Sequence, residues 1–116
     1  MPHIRAVFVD SQEMREFLRA QKTKIREIVA DKMGYPCADV ALYPHRISEE
    51  EVEFADNVLP LEFVVDSGSR SLGKEDEQAE NIRGAILAQC DGAPRVHFGI
   101  WIVSHARNGF VENKPG

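Results

Sequence analysis

Cysteine is scarce in this chain: Cys37 and Cys90 are the only two, and they stand far apart in no C-x-x-C arrangement. A disulfide framework or a thiolate metal site is therefore not expected, and both residues read as reduced, partly buried thiols. Long apolar runs are missing too, and nothing approaches the roughly 20 residues of a membrane-spanning helix. Positive charge is in deficit, with 14 Lys and Arg against 19 Asp and Glu and a formal net charge of −5. Nucleic acid is thus not an expected partner, and neither is a membrane, although a few arginines can still line a local pocket. The N-terminal MPHIRAVFVD is too short for a signal peptide and runs directly into a charged helical stretch, so a cytoplasmic location is the default expectation. No two of the four histidines have metal-ligand spacing with a supporting carboxylate or cysteine, and no metal is expected.

What is present is an ordinary globular composition, 43% hydrophobic and 28% charged over 116 residues, enough for one domain with its own core. His3 to Val9 is short and rich in β-branched and aromatic residues and reads as a strand. Asp10 and Ser11 offer helix caps, and Glu13 completes a capping-box pattern with Asp10. Met14, Phe17, Leu18, Ile25, Ile28, Val29 and Met33 then recur at helical spacing. Gly34 ends that helix, Pro36 blocks its resumption, and Val40 to Tyr43 begins a second strand.

The second half repeats the order. Leu61 to Val65 reads as a strand, followed by Asp66-Ser67 as Asp10-Ser11 follow the first. A helix from about Lys74 to Cys90 buries Ala79, Ile82, Ile86 and Cys90; Gly92 and Pro94 close it, and Val96 to Val103 forms the last strand. Asp10 matches Asp66, Ile25 matches Ile82, Gly34 matches Gly92, Pro36 matches Pro94 and Val40 matches Val96, at offsets of 56 to 58. The expectation is one α+β domain over residues 1–116, made of pseudo-repeats at about 2–46 and 58–103. Each repeat is a β-α-β unit, which gives a four-stranded sheet with two helices on one face. Because VHFGIWIV is apolar on both alternations, the other sheet face is expected to pack against sister subunits. The acidic stretch Ile47 to Asn57 between the halves reads as a solvated loop or short surface helix, having no EF-hand spacing.

Pro2 is the position with the most chemistry to offer. Once the initiator Met is removed it presents a secondary amine, and an α-amino group titrating near ~8 is lowered by burial or by a nearby cation. A base close to neutrality suits proton transfer at carbon. A Met-Pro start is equally compatible with no catalytic role.

With MPHI entering a strand, a duplicated β-α-β unit and three local motifs, the chain resembles the tautomerase superfamily. Its 5-carboxymethyl-2-hydroxymuconate isomerase and macrophage migration inhibitory factor branches supply the motifs. Ser67 to Leu72, SGSRSL, is similar to the G-x-R-S-L turn that opens the second helix of the isomerase branch. Gly34-Tyr35-Pro36 resembles the G-x-P turn of the inhibitory-factor branch, and Gly109-Phe110 the glycine-aromatic pair beyond its last strand.

The resemblance implies a homotrimer that acts without cofactor on a small anionic organic acid. Pro2 would be the acid-base for keto-enol tautomerisation or double-bond isomerisation. Arg70 would hold a substrate carboxylate, or else be a plain surface arginine. Phe110 would wall the pocket or pack at a subunit interface, since the site of this family lies between subunits. His97 would donate a hydrogen bond to substrate or merely pack in its strand, and Arg107, with His105, could reach a neighbour's site. Two departures stand out: Tyr35 replaces the lysine usual after the glycine, and the C-x-x-C of the inhibitory-factor branch is absent. The alternatives are a Pro2-dependent dehalogenase or decarboxylase, with Glu112 a candidate carboxylate, and a trimeric binding module without activity.

Overall fold

The computed structural model describes residues 3–48, 50, 59–104, 111, 113 and 115. Strand β1 (His3–Val9) is followed by helix α1 (Gln12–Met33) and strand β2 (Ala41–Ile47). Strand β3 (Leu61–Gly68), helix α2 (Glu75–Gln89) and strand β4 (Phe98–Ser104) repeat that order. The sheet order is β2-β1-β3-β4, with β1 parallel to β2, β3 parallel to β4, and β1 antiparallel to β3 at the centre. Two β-α-β units thus meet along their first strands.

Alternation along the central strands separates the sheet faces. Ile4, Ala6 and Phe8 of β1 and Leu61, Phe63 and Val65 of β3 are buried, at one side of the sheet. The core they form includes Met14, Phe17, Leu18, Ile25, Ile28, Val29 and Met33 of α1, every apolar position its periodicity marks. From α2 come Ile82, Ala85 and Ile86, with Cys90 beyond its end; Ala79 is only half-buried. The two helices also touch each other. No helix among the described residues is long and apolar enough to cross a membrane.

Local signals stop and start the elements. Ser11 caps α1, its hydroxyl accepting from the Met14 N–H at 3.1 Å. Because Ser11 and not Asp10 is the cap, Glu13 stands two residues after the cap instead of three, and the capping box does not form. Asp10 instead donates its N–H to the Ile47 carbonyl and pairs with Arg15 at 3.3 Å. Gly34 ends the helix at φ 74°, a left-handed conformation that suits glycine. Arg26 then ties the following turn to α1, donating to the Val40 carbonyl at 2.7 Å and the Cys37 carbonyl at 2.9 Å.

Three expectations need correction. Asp66 and Ser67 do not follow the strand; they lie within β3, because the sheet claims them. Ser67 is buried and donates to the Val103 carbonyl at 3.3 Å, while Asp66 faces Arg5 at 3.6 Å across the open sheet face. Consequently SGSRSL does not open the helix: its Ser69–Ser71 form a single 3₁₀ turn, and α2 starts at Glu75 with no side-chain cap. Finally, Val96 and His97 precede β4, since a second 3₁₀ turn at Ala93–Arg95 runs to Val96.

Replacing Ser11 by Ala is expected to cost about 1 kcal/mol of stability in denaturant unfolding, whereas Asp10→Ala costs less, losing only a half-exposed ion pair. Equal losses in the two variants would reassign the cap. Truncating Ile82, fully buried between α2 and the sheet, to Ala is expected to cost about 2–5 kcal/mol in the same measurement.

Candidate active site at one end of the sheet

Antiparallel pairing of β1 and β3 sets His3 opposite Asp66 and, beside it, Ile4 opposite Val65. One end of the sheet therefore gathers the beginnings of β1 and β2 and the ends of β3 and β4. Because each helix runs back against its strand, α1 finishes and α2 begins at this same end. Gly34-Tyr35-Pro36, the Ser69–Ser71 turn, Glu75 and Ser104 all converge there.

Arg70 is exposed on that 3₁₀ turn, with its guanidinium carbon 4.6 Å from the centroid of the Tyr35 ring. The turn is held by two backbone bonds, Leu72 N–H to the Ser69 carbonyl at 3.2 Å and Lys74 N–H to the Ser71 carbonyl at 2.9 Å. Tyr35 is fixed from the other side: its N–H donates to the Ala30 carbonyl at 2.9 Å and its half-buried side chain packs on the core. Arg5, Arg15 and Arg83 pair with Asp66, Asp10 and Glu80, whereas Arg70, like Arg19, Arg46 and Arg95, has no carboxylate partner among the described residues. A guanidinium held against a ring face, unlike one paired with a carboxylate, keeps its charge unneutralised.

Glu75 stands nearby at the start of α2. Its carboxylate is held below the ordinary range, first by a hydrogen bond from its own backbone N–H and next by the Ser104 hydroxyl, which donates at 2.8 Å. Acceptors at a helix start are favoured by its unpaired N–H groups. The pair ties the end of β4 to the start of α2.

The other sequence candidates distribute differently. His97 is exposed at the opposite end of the sheet, in a cleft of about 340 Å³ that also includes Asp10, Glu13, Pro60 and Arg95. Arg70 and His97 are separated by the length of β3, roughly 20 Å or more at about 3.3 Å per residue, so one chain does not bring them together. Pro2, His105, Arg107, Phe110 and Glu112 lie outside the described residues. A larger groove of about 470 Å³ runs between α1 and β2 past Lys22 and Arg26, but Arg26 is already committed to two backbone carbonyls. Sequence reasoning registered Tyr35 only as a missing lysine and passed over Glu75 and Ser104. The neighbouring glycine turn and the polar start of α2 were the signals available.

No protein-family model matches the sequence, and no curated protein is similar to it at a significant level. Solved structures are similar over nearly the full chain. Macrophage migration inhibitory factor from Toxoplasma gondii superimposes with a TM-score of 0.62 at 13% identity, covering 97% of both chains. A fused 4-OT asymmetric trimer gives 0.60 at 12% identity, covering 93% of this chain and 91% of that one. FG41 malonate semialdehyde decarboxylase, inhibited by 3-bromopropiolate, gives 0.57 at 20% identity, covering 94% and 90%. These are tautomerase-superfamily structures, and the chain has their α+β fold.

Ser104→Ala is expected to raise the Glu75 pKa toward the ordinary carboxylate value, as read by NMR titration. Because the folded-state pKa is the lower one, this bond's stabilisation is complete above the unfolded-state pKa and is lost as pH falls through the folded value. An unchanged titration midpoint would show that the backbone N–H alone sets it.

Proposed function

We propose that the protein is a cofactor-independent tautomerase or isomerase in which Pro2, freed of Met1, moves a proton between carbon and oxygen of a small 2-oxo or enol acid. The observation that carries this reading is Arg70, a guanidinium without a carboxylate partner among the described residues, at the sheet end where β1 begins. Pro2 is one peptide bond from His3, whose sheet partner Asp66 is four residues before Arg70. A carboxylate held by Arg70 would be gripped through two parallel hydrogen bonds, and the same charge would favour the enolate as it forms. A cation near the terminal amine would also favour its neutral, basic form.

The active form is proposed to be a homotrimer with sites between subunits, an arrangement consistent with the similar fused 4-OT, which is a trimer. Across the sheet face opposite the helices run Tyr43, Arg5, Val64 and Trp101, each paired with the next. Tyr43 is 53% and Trp101 58% exposed in the single chain, apolar surface that association would remove from water. Such an assembly is also the route by which His97, Phe110 and Arg107 of one copy would serve the Pro2 of another.

The same scaffold supports the similar malonate semialdehyde decarboxylase, and a decarboxylase or dehalogenase would use a protonated proline as an acid. The two readings differ in the proline pKa. A pH–rate profile whose acidic limb, where protonation of the amine removes the base, lies near or below neutrality goes with tautomerisation, and one whose basic limb, where a protonated proline is lost, lies well above neutrality goes with the hydrolytic alternative.

The test begins with the intact mass of the mature protein, expected to lack Met1. With phenylenolpyruvate as substrate, Pro2→Ala is expected to lower kcat/KM at least about 100-fold. Arg70→Ala should lower it about ten- to hundredfold, the loss of one charge-assisted hydrogen-bonded pair. Unchanged activity in Pro2→Ala would defeat the mechanism. Trp101→Glu is expected to convert a particle of three 13.1-kDa chains into monomers in sedimentation analysis, and an unaltered mass would place the interface elsewhere.

A further inference from the structure

We propose that Tyr35 is the positioning residue for Arg70 and so sets the site's selectivity for substrates bearing a carboxylate. This inference rests on the role given to Arg70 above. The guanidinium lies over the Tyr35 ring at 4.6 Å, and that ring is packed on the core one residue after the left-handed Gly34. Arg70 itself is exposed on a short 3₁₀ turn, where an unsupported arginine would sample many rotamers. The ring limits that freedom from one side without placing a carboxylate on the guanidinium. A carboxylate partner would have fixed the arginine equally well, but it would have occupied the in-plane donors that a substrate carboxylate needs.

The arrangement also accounts for the departure seen in the sequence. Where the resembling branch carries a lysine after the glycine, this chain carries an aromatic ring, and a cation from the other β-α-β unit stands over it. Positive charge is thus supplied at the turn by residue 70 instead of residue 35. The exchange replaces a point-charge ammonium by a planar fork, which favours a planar carboxylate over a lone carbonyl oxygen.

The experiment compares Tyr35→Phe, Tyr35→Leu and Arg70→Ala in the full chain, with phenylenolpyruvate and with its methyl ester. Tyr35→Phe keeps the ring and is expected to behave as the parent protein. Tyr35→Leu keeps an apolar side chain on the core but loses the π face. Its KM for the acid is expected to rise about two- to fivefold, the scale of an exposed cation–π contact, with kcat and the KM for the ester unchanged. Independently of turnover, the Arg70 side-chain protons are expected to show an upfield ring-current shift in NMR spectra, retained in Tyr35→Phe and lost in Tyr35→Leu. A parental KM in Tyr35→Leu beside a raised KM in Arg70→Ala would overturn the role of Tyr35 and leave that of Arg70 standing. Unchanged KM in both would overturn the two together, and so would equal rises in KM for acid and ester overturn the selectivity. An Arg70 shift that survives in Tyr35→Leu would remove the stacking itself.

Discussion

Everything at the candidate site depends on the antiparallel pairing of β1 with β3. Within each β-α-β unit the strands are parallel, so the start of a first strand lies beside the start of its second, and the loop after a strand leaves from the far end. Only the junction of the two units reverses direction. It carries the end of β3, and with it the Ser69–Ser71 turn, to the point where the chain enters β1. Had the units met in parallel, Arg70 would stand a sheet's length from the N-terminal segment. The central pair is therefore both the middle of the core, through Ile4, Phe63 and Val65, and the device that unites residues from the two ends of the sequence.

The halves are duplicates in architecture and unequal in chemistry. Matching buried positions, Ile4 corresponds to Leu61, Ala6 to Phe63 and Phe8 to Val65. His3 then corresponds to Pro60, and the residue ahead of it to Leu59. At Leu59 the chain continues in both directions, so its nitrogen is an amide and cannot act as a base. A side chain occupies the space as well: a Cβ built on Gly99 would come within 2.7 Å of the Leu59 Cδ1. Glycine in β4 thus admits Leu59 against the sheet, and the second unit closes by packing where the first unit begins.

How much of this was legible in the sequence follows from how local each signal is. The α1 periodicity and Gly34 are short-range and were read correctly, because a helix face and a left-handed cap are fixed within a turn or two. Both first strands and the duplication followed from the same kind of pattern. Asp66 and Ser67 were read as following their strand, as Asp10 and Ser11 follow theirs, since nothing local shows that the Ser67 hydroxyl reaches Val103 in another strand. His97 was assigned to a strand for the same reason: the 3₁₀ turn at Ala93–Arg95 delays β4 although VHFGIWIV is uniformly β-prone. Arg70 was named from its motif, but its ring partner Tyr35 lies in the other unit, and only the fold brings the two together.

Its ring contact, not the lack of a carboxylate, sets Arg70 apart, since Arg19, Arg46 and Arg95 also have no carboxylate partner among the described residues. Arg5, Arg15 and Arg83 have carboxylate partners and Arg26 is spent on two carbonyls. A surface ion pair costs little to form and little to break, yet under the proposed function it would place an anion where substrate would bind, and substrate would have to displace it. An aromatic face exerts a weaker pull on the same charge than a carboxylate does. Under the proposed function the ring would hold the cation without neutralising it. The proposed carboxylate site would need that combination, and here an aromatic residue, instead of an acid, stands directly after the glycine that ends α1.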